Sequence, residues 1–186
     1  LTVRRNEIVG IAGVSGNGQS ELLDALAGLL VPQAGTLEVD GATFTPARWL
    51  RPDRARALRI AHVPEDRQRR GLVLPFPAWE SAVLGYQQWP RYDRLGWLRQ
   101  WVMRTDTAAM MERYDVRPRD ITLRSSKFSG GNQQKLVLAR EAFPEPRVLL
   151  VGQDTRRGTF NHRHAVLVDV EDEHEHAPLA ALAAAT

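Results

Sequence analysis

A glycine-rich loop, set between a short β-rich run and an amphipathic helix, constrains this chain more than any other feature. Residues 7–12 (Glu7-Ile8-Val9-Gly10-Ile11-Ala12) favour a strand, and residues 19–27 place Leu22, Leu23, Leu26 and Ala27 at helical spacing. Between them runs Gly13-Val14-Ser15-Gly16-Asn17-Gly18-Gln19-Ser20, which fits GxxxxGK[ST] at every fixed position except the lysine, here Gln19. Glycines at 13, 16 and 18 let the backbone turn tightly and gather successive N–H groups around a phosphate, and the helix beginning near Gln19 adds its positive end. Ser20 would offer a hydroxyl to Mg2+. An ammonium about 4 Å from a phosphate oxygen is worth on the order of 4 kcal/mol at an effective dielectric near 20, before desolvation. The neutral amide of Gln19 supplies a hydrogen bond and no net charge. Such a loop can hold a nucleotide through its backbone, but lacks the group that neutralises charge developing at a γ-phosphate. The plainer alternative is a glycine-rich turn that binds nothing.

The rest of the chain reads as an α/β core interrupted by a helical insertion. Residues 35–41 alternate between two glycines like an edge strand and turn, and residues 59–64 form another short strand ended by Pro64. Between Pro64 and Ser126 lie Pro64, Pro75, Pro77, Pro90 and Pro118 and four of the five tryptophans (Trp79, Trp89, Trp97, Trp101). A helical pattern at Leu98, Trp101, Val102, Thr105, Ala109 and Tyr114 suggests an inserted helical subdomain over about 75–128. Residues 132–143 are helical, with one face at Leu136, Val137, Ala139 and Arg140. Residues 147–151 are a continuous apolar run of the kind covered on both faces of a parallel sheet.

Composition limits the function classes. With 186 residues, 43 % hydrophobic and 25 % charged, the chain suits one domain with a real core. It contains no apolar run of roughly 18 residues and no signal-peptide layout, and it reads as soluble and unexported. The absence of cysteine excludes disulfides, thiolate metal sites and cysteine nucleophiles. Up to position 168 there are 25 basic and 17 acidic residues, and beyond it five acidic residues with no Lys or Arg. Since 23 of the 25 basic residues are Arg, the excess reads as solvated surface in preference to nucleic-acid binding. The first residue is Leu1 rather than Met, so the chain is expected to be cut from a longer one.

A second motif lies 111 positions after the loop. Lys127-Phe128-Ser129-Gly130-Gly131-Asn132-Gln133-Gln134-Lys135 opens the later helix, with Ser129 as a good N-cap and glycines that admit a phosphate to the helix start. By itself this would be an ordinary Ser-Gly-Gly helix entry. With the loop, the insertion and the following strand, the chain resembles the nucleotide-binding domain of ATP-binding-cassette (ABC) transporters, whose signature is LSGGQ. The form Ser129 to Lys135 resembles the sugar and nucleoside importer branch. Residues 16–20, Val63-Pro64-Glu65-Asp66-Arg67 with Gly71-Leu72-Val73-Leu74, and Val151-Gly152-Gln153 with Thr155-Arg156 look like the second, degenerate domain of such importers.

The resemblance implies a truncated P-loop NTPase core over residues 1–157 that binds ATP with Mg2+. It assigns nucleotide binding to residues 13–20, the signature to Ser129, Gly130, Gly131, Asn132 and Gln133, and the Q-loop to Glu65 and Asp66. Residues 75–101 would face a transmembrane permease subunit, with core packing as the plainer role for Trp101 at least. The position of the Mg2+-supporting Asp is Gly152, and that of the Glu orienting the attacking water is Gln153. Neither can carry a negative charge or accept a proton. ABC domains pair head to tail, so this one would lend its signature to a second ATP-binding domain while its own loop holds nucleotide without turnover, peripheral on the cytoplasmic membrane face. A non-hydrolysing regulatory module and a decayed fragment are the alternatives. Residues 158–186 depart from the family: the D-loop Asp is missing, and either a deletion, placing a strand at 165–168 and Glu171 near the switch histidine, or a frameshift accounts for the text.

Overall fold

The computed structural model describes residues 1–4, 7–12 and 17–152, together with four two-residue strands beyond them. The chain divides into two compact units, residues 21–152 and residues 1–20 with 153–186.

In residues 21–152 the chain folds as an α/β structure around a parallel strand pair. Helix α1 (Gln19–Leu26) enters this unit from the loop and ends in a Schellman arrangement. Gly28, at φ +77°, lets the Leu29 N–H reach the Asp24 carbonyl at 2.7 Å while its own N–H reaches that of Ala25 at 3.0 Å. A Cβ there would lie 2.7 Å from the Arg51 carbonyl carbon, so space and backbone angle both demand glycine. Strands β1 (Leu37–Val39) and β2 (Ala42–Phe44) form a hairpin through Asp40 and Gly41, both at positive φ as a two-residue turn requires. Helix α2 (Pro52–Ala57) starts on proline, whose missing N–H would have no partner in the first turn.

Strand β3 (Ile60–Val63) lies far along the chain from its parallel partner, and residues 64–147 supply the crossover such a pair needs. The crossover carries a π-helical turn (Arg67–Gly71), α3 (Ala78–Ser81), the hairpin β4 (Asp93–Arg94) and β5 (Trp97–Leu98), α4 (Gln100–Arg113), a 3-10 turn (Ser125–Lys127) and α5 (Gly130–Ala142). Strand β6 (Val148–Val151) then pairs with β3, Ile60 opposite Val148 through Val63 opposite Val151. The main core joins Val63, Leu72, Met110, Met111, Phe128, Leu136 and Val137, so β3, α4 and α5 share one apolar interior.

Three expectations for this unit are corrected. Helix α4 buries Val102, Met103, Asp106, Thr107, Met110 and Met111, a face rotated from the expected one, with Thr105 and Ala109 outside. The rotation is possible because Asp106 is not an unpaired buried charge: Arg91 grips it at 2.5 and 2.6 Å. Trp101 does not pack inside; it is 66 % exposed, and Trp79 is the buried tryptophan. Strand β6 is half-buried rather than covered on both faces, with Val151 exposed at its end.

The other unit contains, beyond the loop, β7 (Arg156–Arg157) paired antiparallel with β8 (Arg163–His164), and β9 (Leu167–Val168) paired antiparallel with β10 (Glu175–His176). The strand expected over residues 7–12 is not formed: among the described residues it has no partner, and Ile8 and Ile11 are about half exposed. A strand exists through its ladder to a neighbour, so β-favouring residues alone leave irregular backbone. Of the strand suggested at 165–168, Leu167 and Val168 form β9, while residues 165 and 166, like Glu171, lie outside the described residues.

Candidate functional site

The glycine loop is described only at its C-terminal end. Gly13, Val14, Ser15 and Gly16 lie outside the described residues; Asn17 precedes Gly18, which sits at φ +92° with open space where a Cβ would point. Gln19 and Ser20 are the first two residues of α1, where helix N–H groups and the helix dipole favour an anion.

The expected signature is a helix entry built from both sides. Ser129 caps α5: its Oγ accepts from the Asn132 N–H at 3.4 Å and from Asn132 Nδ2 at 2.9 Å. The Asn132 carbonyl oxygen accepts from the Arg117 N–H at 2.8 Å, and Lys135 Nζ donates to the Asp115 carbonyl at 3.0 Å. Hydrogen bonds from Arg117 and Lys135 hold the exposed Asp115 carboxyl below its usual range. Ser129 and Gly131 are exposed, and no described residue stands within 4 Å of where a Gly131 Cβ would project. Gln133 points inward and is buried, yet both ends of its amide are satisfied: Nε2 donates to the Ser125 carbonyl at 3.0 Å, and Oε1 accepts from Gln68 Nε2 at 3.1 Å.

Glu65 and Asp66 are exposed at the end of β3. Asp66 caps the π-helical turn, its Oδ1 accepting from the N–H groups of Gln68 and Arg69 at 3.0 Å each. Gly152 is buried and extends the β3–β6 ladder, donating its N–H to the Val63 carbonyl at 2.9 Å. A Cβ at residue 152 would lie 2.7 Å from the Glu65 backbone nitrogen and 3.1 Å from its Cα. The Glu65 backbone therefore fills the space in which a side chain would begin, and a carboxylate cannot stand there without moving one of the two segments. Gln153 lies outside the described residues. Of the donors expected for Mg2+, Ser20 keeps its hydroxyl at the start of α1, and residue 152 offers no oxygen from a side chain. Among the described residues no cluster of three or more His, Asp or Glu could hold a metal ion.

Two features were not among the candidate residues. Arg67 and Gln68, next to the expected Q-loop pair, touch the signature helix; the polar Asp-Arg-Gln run after a strand was their visible trace. A buried polar network also ties α5 to the helical region. Glu141 accepts from the Tyr86 hydroxyl at 2.6 Å and from Arg140 Nε at 2.8 Å, and Arg140 Nη1 reaches the Gly71 carbonyl at 2.6 Å. Burial, together with the Glu141 carboxylate, pushes the Tyr86 hydroxyl above its usual range. Burial likewise lowers His62, against the pull of Asp24 and Glu141.

Comparison with known proteins gives a consistent picture. A family model described as ABC transporter matches residues 1–153. The chain is 38 % identical over 175 residues to the guanosine import ATP-binding protein NupO of Bacillus subtilis, covering 92 % of this chain and 34 % of that protein. It is 37 % identical over 176 residues to the nucleoside import ATP-binding protein NupA of Lactococcus lactis, again 93 % of this chain and 34 % of that one. With the glucose import ATP-binding protein TsgD13 of Haloferax volcanii it shares 41 % identity over 158 residues, 84 % of this chain and 28 % of the relative. The chain thus spans about a third of the length of these relatives. Among solved structures, an ATP-binding cassette determined as a dimer in a post-hydrolysis state with ADP and Pi matches at a TM-score of 0.65 and 23 % identity, over 84 % of this chain and 64 % of that one.

Proposed function

The chain belongs to the ABC transporter family, and on that premise we propose that it is an ATP-binding domain of a sugar or nucleoside importer, with a degenerate loop of its own and a signature that serves a partner. ATP would be held at residues 13–20 by backbone N–H groups and the start of α1, with Gln19 contributing a neutral hydrogen bond. Hydrolysis at that loop would lack both the charge of a lysine and a carboxylate at residue 152. The partners are a second ATP-binding domain paired head to tail and a transmembrane permease, which would place the chain at the cytoplasmic membrane face. No helix among the described residues is long and apolar enough to cross a membrane.

The observation that carries this reading is the contrast between two glycines. Gly131 opens onto free space at a capped helix entry, as a phosphate-approaching signature needs, whereas Gly152 is closed against Glu65 where a catalytic site would need a carboxylate. The electrostatics agree, because a γ-phosphate brought to α5 meets exposed backbone N–H groups and the positive end of a 13-residue helix.

The test is ATPase turnover of this chain alone and in a pair with an ATP-binding domain that has an intact phosphate loop and catalytic carboxylates. The chain alone is expected to turn over little or no ATP, and the pair to exceed the sum of its parts. Ser129→Ala in this chain should then reduce the pair's kcat by roughly 10-fold or more, as loss of a charge-stabilising contact does. A pair indifferent to Ser129→Ala would refute the lent signature and favour a regulatory ATP-binding module.

A further inference from the structure

The π-helical turn that follows Asp66 lies along one face of α5 and grips it at four successive positions. The space a Cβ of Gly130 would need is taken by the Arg67 guanidinium, with Nη2 at 2.7 Å. One turn on, Gln68 Nε2 donates to Gln133 Oε1 at 3.1 Å. Next, Gly71 packs so closely on Val137 that an added Cβ would meet its Cγ2 at 3.1 Å, and the Gly71 carbonyl accepts from Arg140 Nη1 at 2.6 Å. Positions 130, 133, 137 and 140 are spaced three, four and three apart, which is a single helix face. The turn itself is fixed at its start by Asp66.

We propose that Gln68 is a positioning residue for the signature: with Arg67 it clamps the first turn of α5, so that the Q-loop and Ser129-Gly130-Gly131 move as one piece. Gln133 is the link. Its amide spans from Gln68 to the Ser125 carbonyl, and residue 125 begins the 3-10 turn that delivers the chain to Ser129. Removing the Gln68 amide leaves the buried Oε1 of Gln133 without that donor and frees its side chain to rotate, and the cap it steadies loosens. A side chain at 130 would have to push the Arg67 guanidinium aside.

The clamp stands on the contacts within this unit; its effect on catalysis rests on the signature role proposed above. Two measurements separate them. In the full chain alone, Gln68→Ala should speed hydrogen exchange of the amides of residues 132–135 about 10-fold while leaving those of β3 and β6 unchanged. Unchanged exchange at 132–135 overturns the clamp. In the pair, Gln68→Ala should lower kcat about 10-fold with the KM for ATP within twofold, because ATP sits on the partner's intact loop. Gln133→Ala added to it should cost less than Gln133→Ala does alone, since both substitutions break the Gln68–Gln133 link while the second also removes the bond to the Ser125 carbonyl. If Ser129→Ala stops the pair and Gln68→Ala does not, the clamp has no catalytic role and the signature reading survives. If Ser129→Ala has no effect, the signature reading fails and hydrogen exchange alone decides the clamp. Gln68 is exposed at its turn, so its variant is expected to fold.

Discussion

Replacing Gly152 tests the claim that the position expected for the Mg2+-supporting carboxylate is closed. In Gly152→Ala, the new Cβ would lie 2.7 Å from the Glu65 nitrogen, about 0.7 Å short of the 3.4 Å at which ordinary contact begins. The obstacle is backbone, and it cannot swing aside as a flexible side chain would. The Gly152 N–H is also bonded to the Val63 carbonyl, so retreat of β6 strains the parallel ladder. Overpacking of this kind costs about 1–3 kcal/mol. At about 2–4 °C per kcal/mol for a chain of this size, Tm should fall by several degrees, with a matching drop in the urea midpoint. Gly152→Asp carries the same clash and adds a carboxylate at a buried position, so it should be worse for stability and give no gain in ATPase activity. Thermal and urea unfolding of both variants, with turnover measured alongside, is the assay. Wild-type stability in Gly152→Ala, or a gain of hydrolysis in Gly152→Asp, would refute the reasoning.

Two further outcomes follow from the buried polar groups. Tyr86→Phe removes the 2.6 Å hydrogen bond to Glu141 and leaves that carboxylate to Arg140 and, at 3.4 Å, the His62 N–H, so unfolding free energy should drop by about 1–3 kcal/mol; a change under about 0.5 kcal/mol would show the network to be slack. For His62, burial lowers the folded-state pKa below the usual 6.5, so the unfolded chain takes up the proton first as pH falls. Its contribution is full above pH 6.5 and is lost as pH drops toward the folded value. The urea midpoint should therefore decline between pH 7 and pH 5.5, and His62→Gln should flatten that slope; a slope unaltered by the substitution would assign it to other groups.

The motifs were legible because their chemistry leaves short, rigid traces. A loop of glycines followed by a helix needs no tertiary information, and α1 begins at Gln19 as read. Ser129 before two glycines and an apolar face marks a capped helix, and α5 starts at Gly130, two residues earlier than the expected 132. The runs at 59–64 and 147–151 became β3 and β6, in parallel register. What escaped the sequence depends on partners far along the chain. Asp106 reads as a surface residue until Arg91 is seen beside it, and that pair turns the whole face of α4. Gln133 belongs to the expected signature, and nothing in the motif shows that it points inward, where Gln68 and Ser125 satisfy it. Core packing is the plainer expectation for Trp101, which instead stays outside with Arg99 over its ring. Residues 7–12 are rich in β-favouring side chains, but a strand also requires a neighbour.

The central claim is that a pair containing this chain holds two ATP molecules and hydrolyses one of them. It is tested most directly by loading the assembled pair with radiolabelled ATP, removing the excess, starting a single turnover and separating the bound nucleotides. The account predicts that half the bound label is recovered as ADP from the site completed by Ser129, Gly130 and Gly131, while the half held on residues 13–20 remains ATP. Conversion of all bound label at one rate would contradict it.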